Sequence, residues 1–387
     1  MTTEERVEGL ADLLVTTGRL TEPLWREGLR AVPRHLFAPE AAWAVPDRPR
    51  YEGFAIDRSA DPPTWWNAVY SDTAIAIQLD DGAGDPLSGA GTWTSSCSAP
   101  GIVITFLQEL RPLDHHRVLE IGTGTGWTAG LLTWRLGPGC VTSVEIDGSL
   151  SAHAAGNLAG AGLDPHLVVG DGAAGFAAGA PYDRVHVTCG VDRVPRPWVE
   201  QCRPGAGIVL PWSPGWGIGH LAHLTVAGDG TALGRLTGPA GFMMLRSQRR
   251  RFGGPEHAAE QRGQAAVSAT RLDPRSVIAQ SPGAEVAIAA LVPDVRSHLE
   301  AAPDGSYRIW AIENRADEPS WAAANFEPGR ADHTVRQYGP RRLWDEVENA
   351  YLQWVTWGAP ARERFGLTVG AASQKVWLDR PDHVLAA

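Results

Sequence analysis

Residues 118–127 read V-L-E-I-G-T-G-T-G-W, and residues 141–147 read V-T-S-V-E-I-D. The first stretch is a short apolar strand carrying the acid Glu120. It runs into a turn in which Gly122, Gly124 and Gly126 alternate with Thr123 and Thr125. A helical run follows over 127–136, then a second apolar strand ending at Glu145 and Ile146. This is a βαβ unit with a tight turn at the carboxyl end of its first strand, where open parallel sheets hold their ligands. Glycines there permit positive φ and let a ligand approach the backbone. Dinucleotide oxidoreductases and methyltransferases share such a turn, so its companions decide between them.

Toward the C-terminus, Glu145 lies about 20 residues beyond the turn, where an acceptor for a ribose diol belongs. A third apolar strand, 167–169, is followed by Asp171 and Gly172. A carboxylate there can meet an adenine edge, with glycine giving it room. A fourth strand is expected at 184–189, a helix at 198–203 and a fifth strand at 208–211. Strands alternating with helices at this spacing predict an α/β fold with a doubly wound parallel sheet.

Toward the N-terminus, Val7, Leu10, Leu13 and Leu14 have amphipathic spacing and predict a helix over 3–18. Thr21 is expected to cap a second helix that Pro33 ends. The corner 32–39, V-P-R-H-L-F-A-P, reads as packing. Residues 41–100 read as irregular, with Tyr70-Ser71-Asp72, a short apolar run at 74–79 and a long loop at 80–93 of the kind that is often functional. The segment 94–100, T-S-S-C-S-A-P, crowds four hydroxyls before a helix over 100–110. Proline suits the first turn and a hydroxyl suits the cap. One cap suffices, which leaves hydroxyls to face a ligand.

A chain of 387 residues predicts two domains. The net charge of −10 argues against nucleic acid or an anionic membrane as partner. The sequence contains no apolar run of about 18 residues, the length a membrane span needs. The start, M-T-T-E-E-R, lacks the order of a signal peptide. Cys97, Cys140, Cys189 and Cys202 form no metal-type pair, so a reduced, cytoplasmic protein is expected. The histidines fall into no H-E-x-x-H set, and no metal is expected. Lys375 is the only lysine, which removes a Tyr-x-x-x-Lys dehydrogenase.

The expected division is a catalytic unit 1–250 (helices and loop 1–100, cofactor-binding core 101–250), a linker 251–285 and a small C-terminal α+β domain 286–387. In that last domain, strands are expected at 286–291 and 307–312. A helix carrying Leu343, Trp344, Val347, Tyr351, Trp354 and Val355 should follow, then a hairpin around Gly370. It would serve substrate recognition, or brace the catalytic unit or a dimer. The basic run from Arg246 to Arg251 can contact an acidic peptide or stay solvated.

Taken in order, E-I-G-T-G-T-G, V-E-I-D, G-D-G, P-Y-D-R-V-H-V-T and R-P-G-A-G-I-V-L-P resemble the class I S-adenosylmethionine-dependent methyltransferases. The V-P-R corner, Y-S-D, S-A-P and G-D-G-A-A-G narrow this. Over roughly residues 20–250 the chain is similar to the protein-L-isoaspartate O-methyltransferase family. The resemblance implies a Rossmann-like sheet, S-adenosyl-L-methionine as cofactor, S-adenosyl-L-homocysteine as its product, and Ser98 as the catalytic serine. The cofactor residues it implies are Ser95, Ser96, Cys97, Ser98, Glu120, Gly122, Thr123, Gly124, Gly126, Glu145, Ile146, Asp171 and Gly172. Tyr70, Asp72 and Arg246 are candidate substrate contacts.

Two departures stand out. The order Ser95-Ser96-Cys97-Ser98 replaces the family's usual Q-T or A-T pair, and the chain runs on well past the catalytic unit. Both look like the subgroup that serves ribosomally made graspetide and lanthipeptide pathways. That resemblance implies methylation of one aspartate in a macrocyclic precursor peptide, with the ester closing to an aspartimide. Isoaspartyl repair is the alternative, and a non-catalytic cofactor-binding scaffold is a third reading. The oligomeric state is not legible.

The chemistry asks little of acid–base groups. An aspartate, with a reference pKa of about 3.9, is already the anion at neutral pH. Alignment of two reactants can supply ~7–11 kcal/mol. Ser98 would aim one carboxylate oxygen by a hydrogen bond. A backbone nitrogen can then expel methanol from the ester without further catalysis.

Overall fold

The structure, a computed structural model, describes residues 1–47, 52–249, 261–278, 280–314 and 320–385. Two helices open the chain, α1 (Thr3–Thr16) and α2 (Pro23–Ala31). Thr2 and Glu5 form a reciprocal capping box on α1. Thr21 does not cap α2: Glu22 holds that position without a side-chain bond, and Thr21 donates its amide and hydroxyl to Gln108.

Residues 41–100, expected to be irregular, form an antiparallel sheet. Its strands are β1 (Ala41–Pro46), β2 (Phe54–Asp57), β3 (Thr73–Leu79) and β4 (Trp93–Cys97), in the order β2-β1-β3-β4. The helix α3 (Pro62–Val69) crosses between β2 and β3. The short strands are split by proline, glycine and aspartate, which hid their pairing from local patterning. β4 also contains three of the hydroxyl residues expected to cap the next helix, α4 (Pro100–Leu110). Ala99 precedes that helix and makes no side-chain cap bond. The carboxylate of Asp72 accepts from Gly101 N at 2.7 Å instead.

The main sheet begins with β5 (Val118–Ile121), β6 (Val141–Glu145), β7 (His166–Val169) and β8 (Tyr182–Val187). It continues with β9 (Cys202–Trp212), β10 (His220–Val226) and β11 (Ala232–Pro239). α5 (Trp127–Leu136), α6 (Gly148–Gly160) and the short α7 (Arg196–Glu200) connect the parallel strands. β7-β6-β5-β8-β9 run parallel, and β9-β10-β11 turn antiparallel. Adjacent residues of β5 serve opposite faces: Val118 joins the core under α1, α2, α4 and α5, and Leu119 the core on the other side. Both faces are covered, as a parallel sheet requires. The chain leaves β5 for β6 on one side and returns to β8 on the other. The glycine turn therefore lies at the point where strand order reverses.

The C-terminal part does not follow the expected bounds. β12 (Ala266–Thr270) lies inside the expected linker and pairs with β16 (His333–Tyr338). With β13 (Val295–Ala301), β14 (Tyr307–Glu313) and β15 (Trp321–Phe326) they form a five-stranded antiparallel sheet. Residues 286–291, expected as a strand, belong to helix α8 (Pro282–Leu291). A short apolar run cannot separate strand from buried helix by period alone, and its alanines and first-turn proline favour the helix. α8 packs with α9 (Leu343–Thr356) on this sheet. The hairpin β17 (Phe365–Val369) and β18 (Gln374–Leu378) then leaves that module. β17 pairs with β11, so the main sheet has nine strands.

Candidate active site

A cleft of about 880 Å³ opens at the carboxyl ends of β5 and β6. Its floor is the glycine turn. Gly122, Gly124 and Gly126 all have positive φ, at 92°, 55° and 86°. A Cβ at Gly122 would stand 2.4 Å from Thr188 Oγ1, and one at Gly124 would stand 3.4 Å from the carbonyl of Ser96. The turn therefore lies between the end of β8 and β4, with no room for a side chain at Gly122. Gly124 N donates to Glu145 Oε2 at 3.0 Å, and Asp147 N to its Oε1 at 3.1 Å. The largely buried Glu145 thus keeps its carboxylate beside the turn with lone pairs to spare. Asp171 sits across the cleft, its Oδ1 accepting from Ala173 N at 2.9 Å. Gly172 is held from below, its carbonyl accepting from Trp198 Nε1 at 2.7 Å.

The opposite wall is β4. Ser95, Ser96, Cys97 and Ser98 all line the cleft. They are fixed from behind by Arg34, which is 1% exposed. Its Nη1 donates to Val69 O at 2.9 Å. Its Nη2 lies 2.8 Å from Thr73 O and 3.0 Å from the carbonyls of both Cys97 and Ser98. The guanidinium also lies 5.3 Å over the Trp127 ring at the start of α5. Arg34 belongs to the V-P-R corner that sequence alone reads as packing. It anchors the serine segment.

A strap completes the rim. Met243, Met244, Leu245, Arg246 and Arg249 line the cleft. Gln248, between them, accepts from Asp192 N at 2.9 Å and donates to Arg193 O at 2.7 Å. Gln374, on the C-terminal hairpin, grips the same loop through Val194 N and Asp192 O, each at 2.9 Å. The strap's methionines are the chain's two besides Met1, a scarcity that was the available signal for them. Cys189 also lines the cleft, and burial beside the charge of Glu145 pushes its thiol up to about 12. It stays protonated and does not act as a thiolate.

Of the expected residues, Ser95, Ser96, Cys97, Ser98, Gly122, Thr123, Gly124, Glu145, Ile146, Asp171, Gly172 and Arg246 come together. Four do not line the cleft. Glu120 is fully buried beneath it and accepts from Ser143 Oγ at 2.5 Å, and Ser143 is in turn 2.7 Å from Thr123 Oγ1. It supports the turn from below. Gly126 faces Leu158 and Ala154 of α6 at the start of α5. Asp72 serves the N-terminus of α4, as above. Tyr70 bonds His35 Nδ1 at 2.6 Å and stacks on Trp66, its hydroxyl pushed up to about 12 by burial. Arg250 and Arg251 of the basic run lie outside the described residues.

The donor set fits a cationic nucleoside. Glu145 suits a ribose diol and Asp171 an adenine edge, and the glycine turn lets a ligand lie against the backbone. Two carboxylates inside the cleft suit a sulfonium better than a pyrophosphate. The fold is that of a class I S-adenosylmethionine-dependent methyltransferase, and S-adenosylmethionine is the cofactor.

The comparisons narrow the class. Residues 54–238 match the family model "Protein-L-isoaspartate(D-aspartate) O-methyltransferase". The chain is 30% identical to protein-L-isoaspartate O-methyltransferase 2 of Archaeoglobus fulgidus over 210 residues, 54% of this chain and 78% of that protein. It is 40% identical to the Pyrococcus abyssi protein-L-isoaspartate O-methyltransferase over 115 residues, 30% of this chain and 53% of that protein. A solved protein-L-isoaspartate O-methyltransferase superposes with a TM-score of 0.54 at 21% identity, covering 97% of this chain and all of the other. The chain belongs to the protein-L-isoaspartate O-methyltransferase family.

Proposed function

We propose that this protein transfers a methyl group from S-adenosylmethionine to a carboxylate of a peptide or protein, and that the acceptor is an isoaspartyl residue. The observation that carries the reading is the Ser98 segment, hung over the glycine turn on Arg34. The bound cofactor supplies an electrophilic methyl. A carboxylate is already anionic at neutral pH and needs no base. The protein's part is alignment: Glu145 and Asp171 hold the nucleoside, and the Ser98 hydroxyl aims one acceptor oxygen. The names of the relatives support the isoaspartyl acceptor.

A second reading is methylation of one aspartate in a macrocyclic precursor peptide, closing to an aspartimide. The order Ser95-Ser96-Cys97-Ser98 supports it. The long C-terminal part does not, because a protein-L-isoaspartate O-methyltransferase of solved structure matches over nearly the whole chain. Intact-mass analysis separates the two. Three peptides are incubated with S-adenosylmethionine: one isoaspartyl, its aspartyl twin, and an ester-linked macrocycle with aspartate. Methylation of the isoaspartyl peptide alone supports the first reading. Lasting loss of water from the macrocycle, with the isoaspartyl peptide untouched, replaces it by the second. Ser98→Ala should lower kcat on the accepted peptide about 10- to 100-fold and retain S-adenosylhomocysteine binding. An unchanged kcat removes Ser98 from the chemistry.

A further inference from the structure

The rim of the cleft carries two arginines that share one partner. Nη2 of Arg246 and Nη1 of Arg249 converge on the same oxygen, Oδ1 of Asp81, at 2.8 and 2.6 Å. Arg246 Nε is buried and bonds to nothing among the described residues. Asp81 stands on the turn after β3 with φ at 54°, and Asp80 before it has φ at 48°. Such a backbone is strained in non-glycine residues and persists only where its surroundings hold it. Here Asp81 N bonds Thr94 Oγ1 at 3.1 Å, and Asp80 Oδ1 accepts from Thr92 N at 2.8 Å. The side chain of Asp81 remains 49% exposed.

Two guanidiniums share one carboxylate, and a further acid, Asp147, is 3.8 Å from Arg246 and committed to Ser149, Leu150 and Gln78. The whole chain carries −10. An acidic peptide is repelled by such a surface at long range, and the two guanidiniums stand on the rim of the cleft at which a carboxylate must arrive.

We propose that Arg246 and Arg249 dock a second carboxylate of the peptide substrate, one near the residue that is methylated, and that Asp81 is an internal stand-in which this carboxylate displaces. The substrate class is then acidic peptides. This rests on the reading that the acceptor is a peptide carboxylate. An exposed ion pair contributes little to stability, so the exchange costs little. The spacing is also set. Arg249 Nη2 reaches Thr94 O at 3.4 Å, and Thr94 stands four residues before Ser98 along the wall, roughly 13 Å at ~3.3 Å per residue. In an extended peptide the docked acid lies about three or four residues from the acceptor.

The test uses the full chain, S-adenosylmethionine and pairs of peptides with one acceptor. Each pair carries aspartate or asparagine three or four residues away, on either side. The acidic member should show a kcat/KM about tenfold higher on one side of the acceptor. The Arg246→Gln, Arg249→Gln double variant should bring that ratio close to one. Asp81→Asn, which removes the competitor, should raise kcat/KM for the acidic member. S-adenosylhomocysteine affinity, read by calorimetry, should hold within about twofold throughout. A ratio of one in the unaltered protein overturns the docking site. So does an equal loss on both members, or weakened S-adenosylhomocysteine binding, since the arginines would then close over the cofactor. If neither member of any pair is methylated, the acceptor reading itself falls.

Discussion

The two walls of the cleft are built in different ways. The wall of β5, β6 and the glycine turn is local: Gly122, Gly124, Glu145 and Asp171 follow one another within a single run of βα units, and hydrogen bonds inside that run place them. The wall of β4 and the strap is assembled from remote chain. Arg34 reaches 64 residues along the sequence to Ser98, and Gln374 reaches back to Val194. Local walls tolerate change in their surroundings and resist change in themselves. Remote walls depend on single side chains that touch no ligand.

The largest effect expected from this difference is at Arg34. Arg34→Met keeps an unbranched stem but leaves the carbonyls of Val69, Thr73, Cys97 and Ser98 without their donor. Stranding buried polar groups on this scale costs about 3–5 kcal/mol. The urea midpoint should fall accordingly. Methylation in the protein that stays folded should fall further, because Ser98 loses its anchor. A loss of less than about 1 kcal/mol in unfolding free energy from the urea melts would mean that β4 holds its place without Arg34.

On the local wall the sensitive position is the turn. Gly122→Ala places a Cβ 2.4 Å from Thr188 Oγ1 at a φ of 92°. Thr188 cannot move freely, because its hydroxyl bonds to the carbonyls of Ile121 at 2.9 Å and Gly122 at 2.7 Å. The turn must distort, and S-adenosylhomocysteine binding should weaken about 10- to 100-fold, or ~1.4–2.7 kcal/mol. The global loss of stability should be smaller than for Arg34→Met, about 1–2 kcal/mol. Calorimetry and urea melts on the same variant separate the two quantities.

The same contrast governs what the sequence discloses. Buried parallel strands are continuous apolar runs punctuated by glycine, and the acids at their ends sit at fixed offsets. The turn, Glu145 and Asp171 were therefore legible, as was the α/β class. The N-terminal sheet was not. β1 to β4 are short, their partners are distant, and prolines and aspartates between them mimic a loop. The hydroxyls at Ser95 and Ser96 resembled caps because a cap and an edge of a cleft call for the same small polar residues. Arg34 looked like packing, since nothing local reveals that four carbonyls converge on it. The tail misled in two places. α8 is too short and too evenly apolar to show a helical period, and the β17–β18 hairpin finds its partner in β11, more than a hundred residues earlier in the chain.

The smallest effect concerns the residue that joins the walls. Asp147 ends the local wall as the cap of α6, accepting from Ser149 N and Leu150 N, while its other oxygen accepts from Gln78 Nε2 of β3 at 2.9 Å. Bonds from the Ser149 hydroxyl and the Gln78 amide, with two helix amides behind them, hold its carboxyl down at about 2, against an ordinary 3.8. A carboxylate with a depressed native pKa contributes stability that is whole above the unfolded value and is lost as pH falls through the native one. That contribution is intact above about pH 4 and disappears toward pH 2. Asp147→Asn keeps a good cap and removes the charge together with the acceptor oxygen that faces Gln78 Nε2. Melting curves of the two proteins should differ modestly at neutral pH, with the aspartate form higher, and converge between pH 4 and 2. Curves that stay equally far apart down to pH 2 would locate the difference in cap geometry rather than in charge. The charge at position 147 would then not be what ties the local wall to β3.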